Sequence, residues 1–88
     1  MKPKELERTL KALANLRRLW ILGYLKKEGE ASVGEIAEEI GLSFKATSKH
    51  LGILFAADLV EKEQQSKVVF YRLASEQKPG AKHIISLL

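Results

Sequence analysis

The sequence predicts an α+β chain that is mostly helical, and three observations carry that prediction. Between residues 4 and 56 the apolar positions recur at spacings of three and four, the period of helices covered on one side. From 60 to 73 the period drops to two, as in strands with one buried face. Beyond Pro79-Gly80 the helical spacing returns in Ile84, Ile85, Leu87 and Leu88.

Taken in order, Pro3 fits the first turn of a helix, where no amide donor is missed. Leu6, Leu10, Leu13 and Ala14 follow at helical spacing over residues 4–14, with Glu7 and Lys11 as a supporting pair four apart. Asn15 reads as an N-cap that restarts the chain in a new direction. The second helix, 16–28, puts Leu19, Ile21, Leu22 and Leu25 on a broad apolar face, and Gly29 ends it. Trp20 and Tyr24, one turn apart, read either as a half-buried packing pair or as part of a dimer interface, where amphipathic aromatics are enriched. Ala31-Ser32-Val33 suits a very short strand. Ser32 and Glu35 also form a capping-box pattern, which opens a third helix over 33–40 with Ile36, Ala37 and Ile40 inward. Gly41 supplies the left-handed residue that a sharp turn between helices needs.

The stretch from 43 to 60 organises the rest. Ser43 is a good N-cap, because its hydroxyl can accept from an orphaned amide of the first turn. Behind it, Thr47, Leu51, Leu54 and Phe55 make one apolar stripe on a helix over 44–56. The opposite face carries Lys45, Ser48, Lys49 and Gly52: two cations, a hydroxyl and a residue with no side chain. A phosphate backbone can come close to such a surface. Solvated lysines are the ordinary alternative, outweighed here by the setting: a short helix, a Gly-containing turn and a second helix with a cationic face form a helix-turn-helix. Strands over 60–64 and 67–73 follow, with Val69, Tyr71 and Leu73 on one face and Val68, Phe70 and Arg72 on the other. Between them Gln64-Gln65-Ser66 lacks the Asn-Gly or Asp-Gly of a tight hairpin, so a longer, mobile loop is expected, flanked by Lys62 and Lys67. A hairpin directly after the recognition helix is a wing. The fold class is therefore a winged helix-turn-helix with a two-stranded wing. Pro79-Gly80 reads as a break before a final helix over 81–88. That apolar end has little to bury against in one small domain, so packing on a partner chain is expected, with folding back onto the first helix as the alternative. Leu6, Leu10, Leu13, Ile84, Ile85 and Leu88 are the candidate dimerisation residues.

The totals agree with this and exclude much else. Eighty-eight residues, 45% hydrophobic and 30% charged, make one domain over 1–88 with a thin core, which a partner subunit would help to cover. With no cysteine there are no disulfides, thiolate metal sites or cysteine nucleophiles. The start of the chain has charge but no apolar signal region, and no apolar run approaches the roughly eighteen residues of a membrane-spanning helix. A cytoplasmic protein is expected. The net charge of +4 and a pI near 9.5 suit a polyanionic partner. Residues 1–30 carry eight Lys/Arg against four Glu, while Glu35, Glu38 and Glu39 cluster just before the recognition stretch and should face away from DNA. His50 and His83 lie far apart with no ligand spacing, so no metal site is expected. His50 reads as a structural residue bonding a nearby backbone or phosphate. The three glutamates read as a solvated helix face. Without a Gly-rich phosphate loop or a Ser/His/Asp pattern, neither an enzyme nor a cofactor is expected.

Three motifs in order then carry a resemblance: residues 10–22, the Ser48-Lys49-His50-Leu51 core within 43–60, and Val69-Phe70-Tyr71-Arg72-Leu73. Over residues 8–73 the chain resembles the ArsR-type winged helix-turn-helix repressors. The resemblance implies a dimeric transcription regulator whose recognition helices enter successive major grooves of double-stranded DNA, with wings on the flanking backbone or minor groove and dimerisation through the first and last helices. Its implied DNA contacts are Ser43, Phe44, Lys45, Ser48, Lys49, His50, Lys62 and Lys67. Departures from the family pattern are equally specific. Ser32 and Gly34 stand where its metal sensors carry cysteines, and only His83 stands where its other metal site uses Asp and His, so neither site carries over. Asn15-Leu16-Arg17 replaces a common Asp-Pro-Thr turn. Phe44 occupies a place often held by a base-reading glutamine; it either packs on a thymine methyl or turns into the core. The competing function is a winged-helix module for protein–protein assembly, which would have no need of Lys45, Ser48 and Lys49 beside a cationic wing.

Overall fold

Three of the five helices begin on a side chain that accepts from an orphaned amide, and the other two open on a proline. In the computed structural model, which describes residues 1–88, α1 (Pro3–Leu13) opens on Pro3. Asn15 opens α2 (Leu16–Glu28): its Oδ1 accepts from the Arg18 amide at 3.1 Å. A short strand β1 (Glu30–Ser32) leads into α3 (Val33–Ile40), and the capping box closes from both sides. The Glu35 amide donates to Ser32 Oγ at 3.1 Å, and the Ser32 amide donates to Glu35 Oε1 at 2.8 Å. These bonds hold the Glu35 carboxyl below its ordinary value. Gly41, at φ 70°, turns the chain in the left-handed conformation. Ser43 then caps α4 (Phe44–Ala56), accepting from the Ala46 amide at 3.1 Å.

The core lies where α2, α3 and α4 meet under the sheet. Ile21, Leu22 and Leu25 of α2, Ile36 of α3, and Leu51 and Leu54 of α4 are fully buried, together with Leu59. Thr47 is equally buried, and it can be because its hydroxyl donates to the Ser43 carbonyl at 2.8 Å. Phe55 does not join this stripe as expected. Sitting one residue past Leu54, it is turned about 100° round the helix, is 41% exposed, and lies under the Lys62 ammonium, 4.4 Å from the ring centre.

The wing is β2 (Val60–Gln65) against β3 (Val68–Leu73), antiparallel, with Lys62 opposite Tyr71 and Gln65 opposite Val68. Only Ser66 and Lys67 lie between the last paired residues, and Ser66 takes φ 59°. The expected long loop is thus a tight two-residue turn, made by a left-handed serine where asparagine or glycine is commoner. β1 pairs with the other edge of β3, giving the order β1-β3-β2. Tyr71 points into the core, with Val69 and Leu73 packed beside it.

Pro79-Gly80 opens the last helix rather than breaking before it: α5 (Pro79–Ser86) has Pro79 in its first turn. Its apolar face folds back on its own chain. Ala81 and Ile85 are buried, Ile84 is packed against the core, and Lys26 of α2 donates to the carbonyls of Ile85, Ser86 and Leu88 at 2.9–3.3 Å. Lys78 ties the start of α5 to Glu5 at 3.4 Å and Asp58 at 3.8 Å. Two interface expectations are corrected here. Leu13 and Ile85 belong to the chain's own core, because α5 covers the inner side of α1. Leu6, Leu10 and Leu88 stay outside, at 40%, 47% and 43% exposed.

Candidate nucleic-acid interface

The burial of Thr47, Leu51 and Leu54 fixes which side of α4 faces water. Lys45, Lys49, Gly52 and Ala56 lie on that side, all exposed. No heavy atom comes within 4 Å of a Cβ built on Gly52, so the helix backbone is bare there. Phe44 heads the helix with 63% of its surface exposed, and Ser48 is half-buried one turn on. Phe44 is therefore not turned into the core. Ser43 is the helix cap, and its hydroxyl oxygen is occupied by the Ala46 amide.

Lys67, at the tip of the wing, lines a depression with Phe44 and Ser48 between the start of α4 and β3. Lys62 leans back over Phe55. These two lysines are the cations of the hairpin that face no carboxylate. Arg72 is surrounded by Glu61 at 3.3 Å, Glu63 at 3.4 Å and Glu30 at 3.8 Å across all three strands. The Glu61 carboxyl is held below its ordinary value chiefly by two hydrogen bonds from Ser75, with the Arg72 guanidinium adding to them.

His50 is turned from the exposed face. Its Nδ1 accepts from Arg18 Nη1 at 3.3 Å, which requires the neutral ring with its proton on Nε2. Burial, followed by the charges of Arg18, Arg17 and Lys49, pushes its pKa below the ordinary histidine value. Arg18 also donates to the carbonyls of Ala12 at 2.7 Å and Lys11 at 3.0 Å, so one guanidinium joins α1, α2 and α4. In the structure His50, half-buried, joins α4 to Arg18 of α2. What residue-by-residue reading missed is the cationic flank beside it. Lys4, Arg8 and Lys11 of α1, with Glu7 paired to Lys11 at 3.9 Å, line a groove with Arg18 and the Ile53–Ala56 side of α4, and Arg17 lies close enough to influence His50. The signal was present in the eight cations of residues 1–30, but nothing local said which helix face would carry them.

The acidic residues gather elsewhere. Glu28, Glu35, Glu38 and Glu39 surround Tyr24, whose pKa is raised by burial first and by these carboxylates second. Glu39 lines a cavity with Trp20, Tyr24 and Lys27 that includes no residue of α4. Metal-ligand chemistry does not fit the positions at which the resemblance would place it. The Ser32 hydroxyl is part of the capping box, Gly34 has no side chain, and no three His, Cys, Asp or Glu residues are grouped to hold an ion. No helix is long and apolar enough to cross a membrane.

Comparison with known proteins fits this geometry. Residues 15–62 match the model of the bacterial regulatory protein arsR family. The transcriptional activator HlyU of Vibrio cholerae is 43% identical over 79 residues, covering 90% of this chain and 69% of HlyU. Its solved structure superposes with a TM-score of 0.82 at 37% identity, covering 99% of this chain and 92% of that one. The nodulation protein NolR of Rhizobium meliloti is 42% identical over 67 residues, 76% of this chain; the matched part spans 54% of NolR, about half its length. The homodimeric winged helix-turn-helix DNA-binding domain Mb0332 of Mycobacterium bovis superposes with a TM-score of 0.81 at 33% identity, over 96% of this chain and 74% of that one.

Proposed function

The chain belongs to the arsR family of bacterial regulatory proteins, and from that premise we propose that residues 1–88 form one domain, a cytoplasmic, dimeric, sequence-specific DNA-binding transcriptional repressor. Members of this family are regulators, not enzymes. The observation that carries the reading is the exposed side of α4: Lys45 and Lys49 about the bare backbone of Gly52, with Lys67 of the wing at one end and Arg17 and Arg8 on the flank. A duplex pressed against that side meets cations on both margins and no acidic cluster. Phosphate contacts of this kind dominate affinity by releasing counterions.

Roles follow from position. Phe44, Lys45 and Ser48, at the start of α4, reach base edges, while Lys49, Lys62, Lys67 and Arg17 hold phosphates. Ser43 and His50 act indirectly, by capping and seating the helix. A dimer would use Leu6, Leu10 and Leu88, which their own chain leaves 40%, 47% and 43% exposed, and a homodimeric relative supports that choice. Two recognition helices about 34 Å apart call for an inverted repeat with half-sites one turn apart.

The test is the salt dependence of duplex binding. Between 50 and 200 mM salt, the range over which phosphate-driven binding falls steeply, affinity should drop by roughly a thousandfold if six or more phosphates are held by the dimer. Lys49→Ala or Lys67→Ala should lower the slope of log K against log salt by about one for each phosphate no longer held. Binding that is absent or indifferent to salt would transfer this fold to the protein-assembly reading.

A further inference from the structure

Phe44 is the most exposed aromatic side chain of the molecule, at 63%, against 50% for Trp20 and 41% for Phe55. Its backbone is fixed, because the Ser43 cap locks the first turn of α4. The ring therefore stands in water from a rigid base, at a cost in hydration that packing within the chain does not recover. It borders a depression of about 430 Å³ shared with Val33, Ser48, Lys67, Val68 and Val69. Val68 is itself 44% exposed. The start of the recognition helix is thus an apolar patch bordered by Lys67, with the exposed Lys45 next along the helix from Phe44.

The rim and the patch select different things. Two cations call for a polyanion, and the apolar floor calls for an apolar group displayed on that polyanion. In the major groove of ordinary DNA the apolar group on a base edge is the C5 methyl of thymine. A phenyl ring can neither donate to nor accept from the edges of adenine, guanine or cytosine in the paired fashion of Asn, Gln or Arg. We propose that Phe44 is a specificity residue that reads thymine by packing on its methyl group, so that each half-site carries a thymine facing Phe44. This rests on the DNA-binding reading above and assigns part of its sequence preference to one side chain.

The test uses duplexes enriched by the unmodified chain from a pool with a randomised 20-base-pair core, resynthesised with deoxyuridine in place of thymine. That exchange removes the methyl groups and leaves every hydrogen-bonding edge in place. Burial of one methyl-sized group corresponds to about fourfold in affinity, or about 0.8 kcal/mol. A dimer reading one methyl in each half-site should therefore lose about fifteenfold. Restoring thymine at single positions should localise the loss to one symmetric pair. Phe44→Ala should bind the thymine and deoxyuridine duplexes alike, with its melting temperature unchanged. Equal affinity of the unmodified chain for both duplexes would overturn the proposal, and this comparison decides the matter even if the variant binds nothing. A Phe44→Ala chain that keeps the thymine preference would also overturn it and assign the patch to another occupant. In both cases salt-dependent binding to random duplex would persist, leaving the general DNA-binding reading intact. A pool yielding no enriched sequence would overturn sequence-specific recognition, and this proposal with it.

Discussion

Arg18 is the side chain on which the seating of α4 most depends. Its fork spans two carbonyls at the end of α1 and the ring of His50 on α4. Bonds to a charged group are the stronger kind, so Arg18→Ala should lower the unfolding free energy by about 2–3 kcal/mol in urea. Arg18→Lys should recover little, since one ammonium cannot match a three-way fork. His50 adds a pH dependence whose sign is fixed by its surroundings. Burial and three neighbouring cations make the folded chain bind its proton less readily than the unfolded chain does. Its contribution to stability is therefore complete above about pH 6.5 and is lost as pH falls through the lowered folded value. The carboxyls of Glu5, Glu35 and Glu61, also held below their ordinary 4.5, contribute their own losses further down. Melting temperature should thus decline as pH falls below about 6.5, and His50→Gln should flatten that part of the curve. A decline unchanged by the substitution would place the titrating group elsewhere.

Element by element, the helices were legible because their ends are written in short-range chemistry. Asn15, Ser32 with Glu35, Gly41 and Ser43 each do in the structure what their residue types imply. Ser32→Ala should accordingly cost about 1 kcal/mol, read from thermal or urea unfolding. The wing was legible in its period but not in its turn, because Ser66 adopts a left-handed conformation that its residue type does not announce. Phe55 was misassigned because a spacing of four from Leu51 looks like core until the wing is in place to cover only one flank. Gly52 separates folding from function within one element. Nothing surrounds it, so Gly52→Ala should stabilise α4 by about 1 kcal/mol through helix propensity. The added methyl group would stand where the phosphate backbone approaches, so the same change should weaken duplex binding in a mobility-shift titration. Stabilisation with undiminished binding would show that DNA does not come close at that point.

The whole molecule leaves Leu6, Leu10 and Leu88 partly exposed, because α5 folds onto the inner side of α1 and onto α2 without completing their cover. Charging the outer stripe with Leu6→Glu and Leu10→Glu should leave the fold intact. By sedimentation it should convert the dimer to a monomer, and specific DNA binding should disappear with it, because one chain presents one recognition helix. A doubly substituted chain that still sediments as a dimer would move the interface elsewhere, with Trp20 and Leu16 as the next exposed apolar surface.

The sequence by itself determined the boundaries of α2, α3 and α4, the hairpin and the cationic face of α4, since each depends on periodicity, capping and residue type within a few positions. Even Phe44 was visible as an unusual residue at the head of the helix. Tertiary structure alone decided what depends on distant segments meeting. It paired β1 with β3, sent the tail back over α1, buried Leu13 and Ile85, joined His50 to Arg18 and brought the cations of α1 and α2 beside α4. A residue's period states that one side of it will be covered; only the packed chain supplies the group that covers it.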